Sequence, residues 1–348
     1  GSPPAASPDA SPLYTARGKV CIMDRRRFLA ALAAAGAVSG LSPSYLQAKE
    51  EAEMNPKGLQ PVARRPLGRT GEELSIIGFG GIIVMNQTPA ESADYVAEAV
   101  DRGVNYFDVA PSYGNAQERL GPALKPHRDR CFLACKTGMR DAAGAEKELH
   151  ESLRLLQTDH FDLYQLHGIT DVEKDVNAAF APGGCMEPIL KAREAGKIRF
   201  LGFSAHSEEA ANAAMDQFDF DTILFPFNFA AWHKGQFGPN IHQRAGERNM
   251  GRLALKAMAH QSVGNREKKW DKCWYIPIDE TDTAALGLRF TLGLPVVAAI
   301  PPGHWQLFDM ALRLAQSGAL DVPLNDQEQA AVQELARAAD PLFSKSAA

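Results

Sequence analysis

Short apolar runs alternate along the chain with longer segments in which apolar residues recur at helical spacing. Short buried strands separated by amphipathic helices are typical of βαβ units that share one parallel sheet. The pattern predicts eight strands, at residues 74–83, 104–110, 131–136, 161–167, 198–203, 222–226, 253–258 and 295–300. Eight such units predict an α/β protein with the (β/α)₈ TIM-barrel fold, because the alternative, a doubly wound sheet, usually has fewer strands.

Local signals support the predicted helices. The Thr-Pro-Ala-Glu segment at 88–91 combines an N-cap, a first-turn proline and a glutamate that completes a capping box, so a helix should begin after Thr88. Leucines at helical spacing mark the buried face of the third helix, at 149, 153 and 156. The glycines at 78–81 lack the G-x-G-x-x-G spacing of a Rossmann nucleotide site, which argues against that alternative.

The first 48 residues differ in composition from the rest. Residues 1–22 are rich in Pro, Ala and Ser, and the sequence RRRFL, with Arg25 and Arg26 as its pair, resembles the twin-arginine export motif. The Ala-rich stretch that follows suits a signal peptide and is too short for stable membrane insertion. We expect residues 1–48 to be a disordered leader and signal peptide, with cleavage after Ala48 as one possible position, and residues 49–348 to form a single barrel domain.

Composition narrows the classes of partner. The 348 residues are 45% hydrophobic and 23% charged, as in ordinary soluble domains, and the formal net charge is -5. Nucleic acids and anionic membranes are bound through basic surfaces, so this charge favours a small-molecule partner. Cys131 and Cys135 lie four residues apart on a predicted strand, about 13 Å from each other, which is too far for a disulfide or a shared metal. We expect all five cysteines to be plain thiols, mostly buried.

Four side chains suited to catalysis lie at the ends of three consecutive predicted strands. Asp108 ends the second strand, Tyr113 follows five residues later, Lys136 ends the third strand and His167 ends the fourth. Each alone could cap a helix, pack in a loop or be solvated. In a TIM barrel, however, the carboxyl ends of the strands form the rim that holds the active site. Their joint position on that rim favours a catalytic group.

The segments around these residues resemble the aldo-keto reductase family, from about Arg65 to Phe343. The matching segments, in chain order, are RPLGRTGEELSIIGFGG, FDVAPSYG, KTG, LYQLH, GKIRFLGFSAHS and AAIPPG. The resemblance implies an NAD(P)(H)-dependent oxidoreductase that reduces an aldehyde or ketone, or oxidises the alcohol, on substrates that include sugar-like ones.

The resemblance also implies a role for each of the four side chains. Tyr113 would be the general acid that protonates the carbonyl oxygen, and Lys136 would lower the pKa of this tyrosine from its ordinary value of about 10. Asp108 would keep Lys136 charged and oriented. His167 would position the substrate carbonyl through a hydrogen bond. The scheme includes no metal.

The cofactor site implied by the resemblance is less regular. Its expected residues are Gly80, Gly81, Asp108, Ser204, His206, Asn228, Lys256, Pro302 and Gly303. The two glycines after the first strand suit close backbone approach, and Ser204 matches the serine that holds the nicotinamide carboxamide, with His206 in place of an asparagine.

Three positions depart from the family. Leu224 or Phe225 replaces a glutamine on the sixth strand, and Leu255 or Lys256 replaces an aromatic residue on the seventh. The segment 302–304 replaces a Lys-Ser pair that reads the 2′-phosphate of NADP. We therefore expect NADP(H) or NAD(H), without assigning a preference.

Two aromatic segments, 230–238 and 264–276, are expected on the substrate side of the barrel, where packing into a lid is favoured over stacking on a sugar or ring ketone.

Two other functions remain open. A redox-sensing or partner-regulating barrel would retain the cofactor with little turnover, and a barrel isomerase or lyase would not need the Tyr-Lys pair. The signal predicts export by the twin-arginine machinery to the periplasm or another extracytoplasmic space, and the oligomeric state is left open.

Overall fold

Eight parallel strands form the centre of the fold in the computed structural model, which describes residues 40–54 and 59–345. The strands β1 to β8 are, in order, Phe79–Gly80, Tyr106–Asp108, Phe132–Thr137, Phe161–Ile169, Ile198–Ala205, Thr222–Phe225, Gly251–Leu255 and Ala298–Ile300. Strands that are consecutive in the chain are neighbours in the sheet. A parallel bridge between Ile77 and Ala299 joins the first strand region to the last and closes the barrel.

One principal helix follows each strand and packs outside the barrel. The helices α1 to α8 are Pro89–Asp101, Ala116–Leu124, Ala142–Leu155, Met186–Glu194, Glu208–Gln217, Pro239–Glu247, Thr281–Gly293 and Trp305–Gln316. Shorter helical segments lie at Gly81–Val84, Lys125–Arg130, Val172–Asn177, Ala178–Phe180, Phe229–His233 and Ala319–Asp321, and a last helix spans Asp326–Ala338. The predicted (β/α)₈ fold is confirmed. None of the helices in the described ranges is long and apolar enough to cross a membrane.

The helix signals read from the sequence act as expected. At α1, the Thr88 hydroxyl accepts a hydrogen bond from the Glu91 amide at 3.2 Å, and the Glu91 carboxylate accepts one from the Thr88 amide at 2.8 Å. On α3 the predicted leucine face packs inward, with Leu149 buried and Leu153 partly buried against the core. The start of α1 is therefore set by local sequence.

The first predicted strand is shorter in the structure than the sequence suggested. Within residues 74–83, the start belongs to an antiparallel hairpin of Arg64–Pro66 with Glu73–Ser75, and the end is the helical turn Gly81–Val84. Residues 74–84 are all buried except Ile82, which is partly buried. A continuous apolar run therefore cannot show where one element ends and the next begins.

The hairpin closes the amino-terminal end of the barrel. Its Leu67 and Leu74 are fully buried and pack with inward-facing strand residues that form the interior core, among them Tyr106, Phe132, Leu163, Leu224 and Leu253. A second, larger core lies between the strands and the helices. The open end of the barrel is therefore the carboxyl end of the strands, where TIM-barrel sites form.

A helix ahead of the barrel, Pro43–Met54, is part of the folded unit. Tyr45 is fully buried against the helical layer, and its hydroxyl donates to Asp282 on α7 at 2.6 Å. The Ser42 amide donates to Glu328, which forms a buried ion pair with Arg289. This helix crosses the boundary expected between residues 48 and 49. Arg25, Arg26 and the rest of the expected signal up to residue 39 lie outside the described residues.

The cysteine prediction is confirmed for the part of the chain that the structure describes. The four thiols there are free and buried, at positions 131, 135, 185 and 273. Cys21 lies outside the described residues.

Candidate active site

A cavity of about 320 Å³ opens at the carboxyl end of the barrel strands. This volume lies in the range of small-molecule sites. All four side chains expected to be catalytic line the cavity: Asp108, Tyr113, Lys136 and His167. The fold brings them together because β2, β3 and β4 are neighbours in register and end at the same rim.

Asp108 and Lys136 form a buried ion pair at the bottom of the cavity. The Lys136 ammonium, fully buried, donates to Asp108 Oδ1 and also to the Val109 carbonyl at 3.3 Å. Burial alone would lower the pKa of Lys136, but the negative charge of Asp108, joined at alkaline pH by the Tyr113 phenolate, outweighs it, so this pKa lies above its ordinary value. The lysine is therefore a fixed positive charge at neutral pH.

Tyr113 lies beside this charge, in the loop after β2. The Lys136 ammonium is 5.4 Å from the centre of the Tyr113 ring. Burial raises the pKa of Tyr113, and the negative charge of Asp108 adds to the rise, while the charge and hydrogen bonding of Lys136 oppose it. The result is a pKa above 10.0, so the phenol keeps its proton at neutral pH. Lys136 limits this rise rather than making the phenol strongly acidic.

His167 completes the group from the end of β4. Its ring packs edge-on against Tyr113 with 5.7 Å between ring centres, and its Nδ1 lies 3.4 Å from the Ser112 hydroxyl. Burial lowers the pKa of His167 to about 3, with a further contribution from the charge of Lys136. His167 is therefore neutral at physiological pH and can place one donor or acceptor nitrogen at the cavity.

Most of the expected cofactor residues also line the cavity, namely Gly80, Asp108, Ser204, His206, Lys256, Pro302 and Gly303. Ser204 is buried, and its oxygen accepts a hydrogen bond from the Gly168 amide at 2.7 Å, which leaves its hydroxyl proton available. A side chain at Gly303 would come within 2.3 Å of Ile82, so close approach of the two loops requires this glycine.

Two expected cofactor residues are not placed in the cavity. Gly81 packs against β2, where an added Cβ would lie 2.7 Å from Val109. Asn228 caps the short helix Phe229–His233, and its amide donates to the carbonyls of Lys256 and Ala259, both at 2.8 Å. Asn228 therefore supports the backbone that carries Lys256, one layer behind the cavity.

Lys256, at the end of β7, is a second lysine facing the cavity. It forms no ion pair with any carboxylate in residues 40–54 and 59–345. Its ammonium instead lies 5.3 Å from the ring centre of Trp274 and 5.0 Å from that of Tyr275. Burial lowers the pKa of Lys256 to about 8, and its backbone has a left-handed φ of 65°. An unneutralised cation in a strained position is typical of a ligand-binding residue.

The segment between β7 and α7 covers one side of the cavity. It contains an antiparallel hairpin, Ala259–Ser262 with Tyr275–Pro277, and contributes four cavity residues, Lys272 to Tyr275. Trp274 is 54% exposed above the cavity, whereas the aromatic residues of 230–238 pack into the core. Only the second of the two predicted aromatic segments therefore covers the cavity.

Three polar residues at the site were not singled out from the sequence. Lys272 lines the cavity and donates to the carbonyls of Ile82 and Ile83, at 3.3 and 3.0 Å. Tyr106 and Gln165 hydrogen-bond Asp108 from below. Both lie two residues before a predicted catalytic residue and so face the same side of their strand, a period-two signal that the sequence contained.

Comparison with known proteins assigns the family. The family model described as the aldo/keto reductase family matches residues 76–269, more than half of the chain. The chain belongs to this family. It is 31% identical over 178 residues to the aldo-keto reductase YhdN of Bacillus subtilis (strain 168), covering 46% of this chain and 52% of that protein. It is 31% identical over 178 residues to a 6-dehydroglucose reductase of Novosphingobium aromaticivorans, covering 45% and 56%.

The aligned region of this aldo/keto reductase thus spans about half the length of these curated relatives. Among solved structures, an aldo-keto reductase from Klebsiella pneumoniae in complex with NADPH is similar, with a TM-score of 0.59 and 23% identity. That similarity covers 83% of this chain and 98% of the other. Because the two sequences are only 23% identical, this similarity supports a shared fold and nothing further.

Proposed function

We propose that this aldo/keto reductase is an NAD(P)H-dependent oxidoreductase that reduces an aldehyde or ketone, or oxidises the corresponding alcohol. The observation that carries the proposal is the placement of Tyr113 beside the buried Lys136–Asp108 pair, with neutral His167 at the same cavity. This set provides a proton donor, a fixed charge that tunes it and a group that orients a carbonyl.

The residues of the cavity fit a nicotinamide dinucleotide. Leu224, Leu255 and Ile300 give one wall an apolar surface suited to an aromatic ring. Ser204, with its free hydroxyl proton, and His206, whose pKa burial lowers to about 4, can hydrogen-bond a carboxamide. When bound, the nicotinamide supplies or accepts the hydride. NADPH is present in the structure of the Klebsiella protein, which supports this cofactor class without fixing NADP(H) over NAD(H).

Lys256 is placed to bind the phosphates of such a dinucleotide. It ends β7, next to the loop after β8 that contributes Pro302 and Gly303 to the cavity. Loops after the seventh and eighth strands frequently form the phosphate site of TIM-barrel enzymes. A charge without a carboxylate partner gains more from an anionic ligand than a paired one, so Lys256 rather than Lys136 takes this role.

Proton transfer falls to Tyr113. The phenol is protonated at neutral pH and can donate to the carbonyl oxygen of the substrate during reduction. The Lys136 ammonium stabilises the phenolate that remains, and Asp108 holds Lys136 in place. His167, being neutral, can donate a hydrogen bond to the same oxygen and align the carbonyl.

The proposed substrate class is a small carbonyl compound or alcohol, with sugar-like compounds included. The relative named 6-dehydroglucose reductase supports the sugar-like members of this class. The exposed ring of Trp274 above the cavity offers an apolar surface for a sugar or ring ketone.

Tyr113→Phe tests the function. Reduction of a test aldehyde should fall by at least about 10²-fold, because the proton donor is lost while the shape of the side chain is retained. The affinity for NADPH, followed by fluorescence, should be nearly unchanged. Wild-type turnover in the variant would exclude Tyr113 as the acid, and absence of any nucleotide binding by the wild-type chain would exclude the oxidoreductase.

We further propose that the protein is exported folded by the twin-arginine machinery to the periplasm or another extracytoplasmic space. Replacing Arg25 and Arg26 with Lys should leave it in the cytoplasm, as cell fractionation would show.

Because the helix Pro43–Met54 packs on the barrel, N-terminal sequencing should place cleavage before Pro43 rather than after Ala48. A dinucleotide bound before export would stabilise the fold, so the exported protein should retain it. Periplasmic protein without nucleotide would contradict this proposal.

A further inference from the structure

Two buried polar side chains hydrogen-bond the carboxylate of Asp108 from the interior of the barrel. Gln165 Nε2 donates to Asp108 Oδ2 at 3.2 Å, and the Tyr106 hydroxyl donates to the same oxygen at 3.4 Å. Both side chains are fully buried. The other oxygen, Oδ1, receives the Lys136 ammonium. The two oxygens of the carboxylate therefore have separate partners: Oδ1 accepts from a charged donor, and Oδ2 accepts from two neutral donors.

The strand register explains how this arrangement forms. Tyr106 lies two residues before Asp108 on β2, and Gln165 lies two residues before His167 on β4, so each faces inward on the same side of its strand as the residue two positions after it. On β3, Lys136 is the direct partner of Gln165 in the parallel pairing of β3 with β4. Three neighbouring strands thus point their polar groups at one carboxylate.

We propose that Tyr106 and Gln165 are positioning residues that hold the carboxylate of Asp108 aimed at Lys136, and thereby set how readily Tyr113 gives up its proton. This inference rests on the proposed function, since it concerns the proton donor of that reaction. Neither residue touches the cavity, so their effect passes through Asp108 and Lys136.

Packing alone does not account for these two polar groups. Tyr106 packs in an interior cluster of apolar side chains that includes Leu163 and Phe132. Gln165 Oε1 has no hydrogen-bond partner in the described part of the chain, which is a cost that an apolar side chain of the same size would avoid. The hydrogen bond to Asp108 therefore explains the presence of the Gln165 side-chain amide better than a contribution to the stability of the fold does.

The direction of the effect follows from the charges around Tyr113. The titratable groups that face Asp108 and Tyr113 are Tyr106 on β2, Cys135 and Lys136 on β3, and His167 on β4. Three further charged or titratable groups, in the loops after β3, β5 and β7, act on His167: Arg140, His206 and Lys256. The negative charge of Asp108 raises the pKa of Tyr113. Hydrogen bonds from neutral donors disperse that charge, so removing them should raise the pKa of Tyr113 further.

Tyr106→Phe is the sharpest test because it removes one hydroxyl and keeps the ring. The alkaline limb of the pH profile for carbonyl reduction should move upward by several tenths of a unit to about one unit, and turnover at pH 7 should fall about two- to threefold, since a weaker acid donates its proton less readily. Gln165→Met, of similar volume, should shift the limb in the same direction. The double variant should shift it furthest.

Tyr164→Phe is the matched control. Tyr164 is buried next to Gln165 in the chain, but its ring stacks on Phe161 in the outer core, away from the cavity. Its variant should leave the pH profile unchanged even if the melting temperature falls. Equal shifts in both variants would mean that any loss of a buried hydroxyl disturbs the site and would overturn the proposal.

A second readout does not depend on turnover. In protein labelled with ¹³Cζ-tyrosine and free of nucleotide, the Tyr113 signal is identified by its absence in Tyr113→Phe. Its titration should begin at higher pH in Tyr106→Phe than in the wild type. An unchanged titration would refute the positioning role and leave the oxidoreductase function standing, whereas a wild type that turns over without Tyr113 would refute the proposed function itself.

Discussion

Lys136 on β3 and Lys256, directly after β7, face the same cavity from opposite sides of the barrel, but of the two only Lys136 has a carboxylate partner in the part of the chain that the structure describes. The pKa of Lys136 lies above its ordinary value because the negative charge of Asp108, joined at alkaline pH by the Tyr113 phenolate, outweighs burial. The pKa of Lys256 falls to about 8 because burial acts on it without such compensation. On the β2–β4 side the lysine charge is therefore neutralised by the protein itself, while on the β7–β8 side the described residues provide no carboxylate for Lys256, and an anionic ligand can supply the counter-charge.

This difference between the two lysines suits Lys136 to the chemical step and Lys256 to ligand binding. A charge that the protein itself neutralises keeps its position and strength whether or not a ligand is bound, which suits a residue that tunes a proton donor. A buried charge without a partner destabilises the free protein. An anionic ligand removes that desolvation cost when it binds, so the charge contributes to ligand affinity. Changing each lysine in turn should expose the two roles.

Lys136→Met should have the largest effect. Carbonyl reduction should fall by about 10²-fold or more and the pH profile should move upward, because Tyr113 loses the cation that stabilises its ionised form. The free energy of unfolding should fall by roughly 3–5 kcal/mol, since Asp108 is left buried and unpaired. Turnover between pH 6 and 10 and urea unfolding would measure the two effects.

The double variant Lys136→Met/Asp108→Asn separates these two effects. It removes both charges, so the free energy of unfolding should recover in part while turnover stays low. Recovery of turnover together with stability would show that Lys136 acts only by holding the fold.

Lys256→Met should affect binding rather than chemistry. The affinity for NADPH should fall about tenfold or more, the scale of a hydrogen bond to a charged group. In the wild type the affinity should also fall about tenfold between pH 7 and 9, because Lys256, with a pKa of about 8, is charged below that pH and neutral above it. Fluorescence titration at several pH values would measure both. If NADPH affinity in Lys256→Met depends on pH as it does in the wild type, the titrating group is not Lys256.

Lys272→Met should have the smallest effect. Its ammonium donates to the carbonyls of Ile82 and Ile83 and so links the β7 segment to the loop after β1. Loss of these two partly buried hydrogen bonds should weaken NADPH binding only about two- to threefold, mainly through faster release, as stopped-flow fluorescence would show. A larger loss than in Lys256→Met would reverse the roles given to the two lysines.

The outcome of the sequence reasoning differs between the two sides of the cavity. Asp108, Tyr113, Lys136 and His167 were all predicted and all line the cavity, because each lies at or just after a strand end and the barrel fixes where strand ends meet. On the cofactor side, Gly81 and Asn228 were expected at the site but lie behind it. Their positions depend on loop conformations, which sequence spacing does not determine.

The sequence by itself determined the alternation of strands and helices, the capped start of α1 and the rim on which the four candidate catalytic side chains lie. These features follow from hydrophobic period, local hydrogen bonding and strand direction, all of which act over a few residues. The tertiary structure alone decided that Gln165 and Tyr106 share an oxygen of Asp108, and that Lys256 has no carboxylate partner among residues 40–54 and 59–345. Such pairings join residues up to 57 positions apart in the chain, and their energies depend on burial that exists only once the barrel has closed.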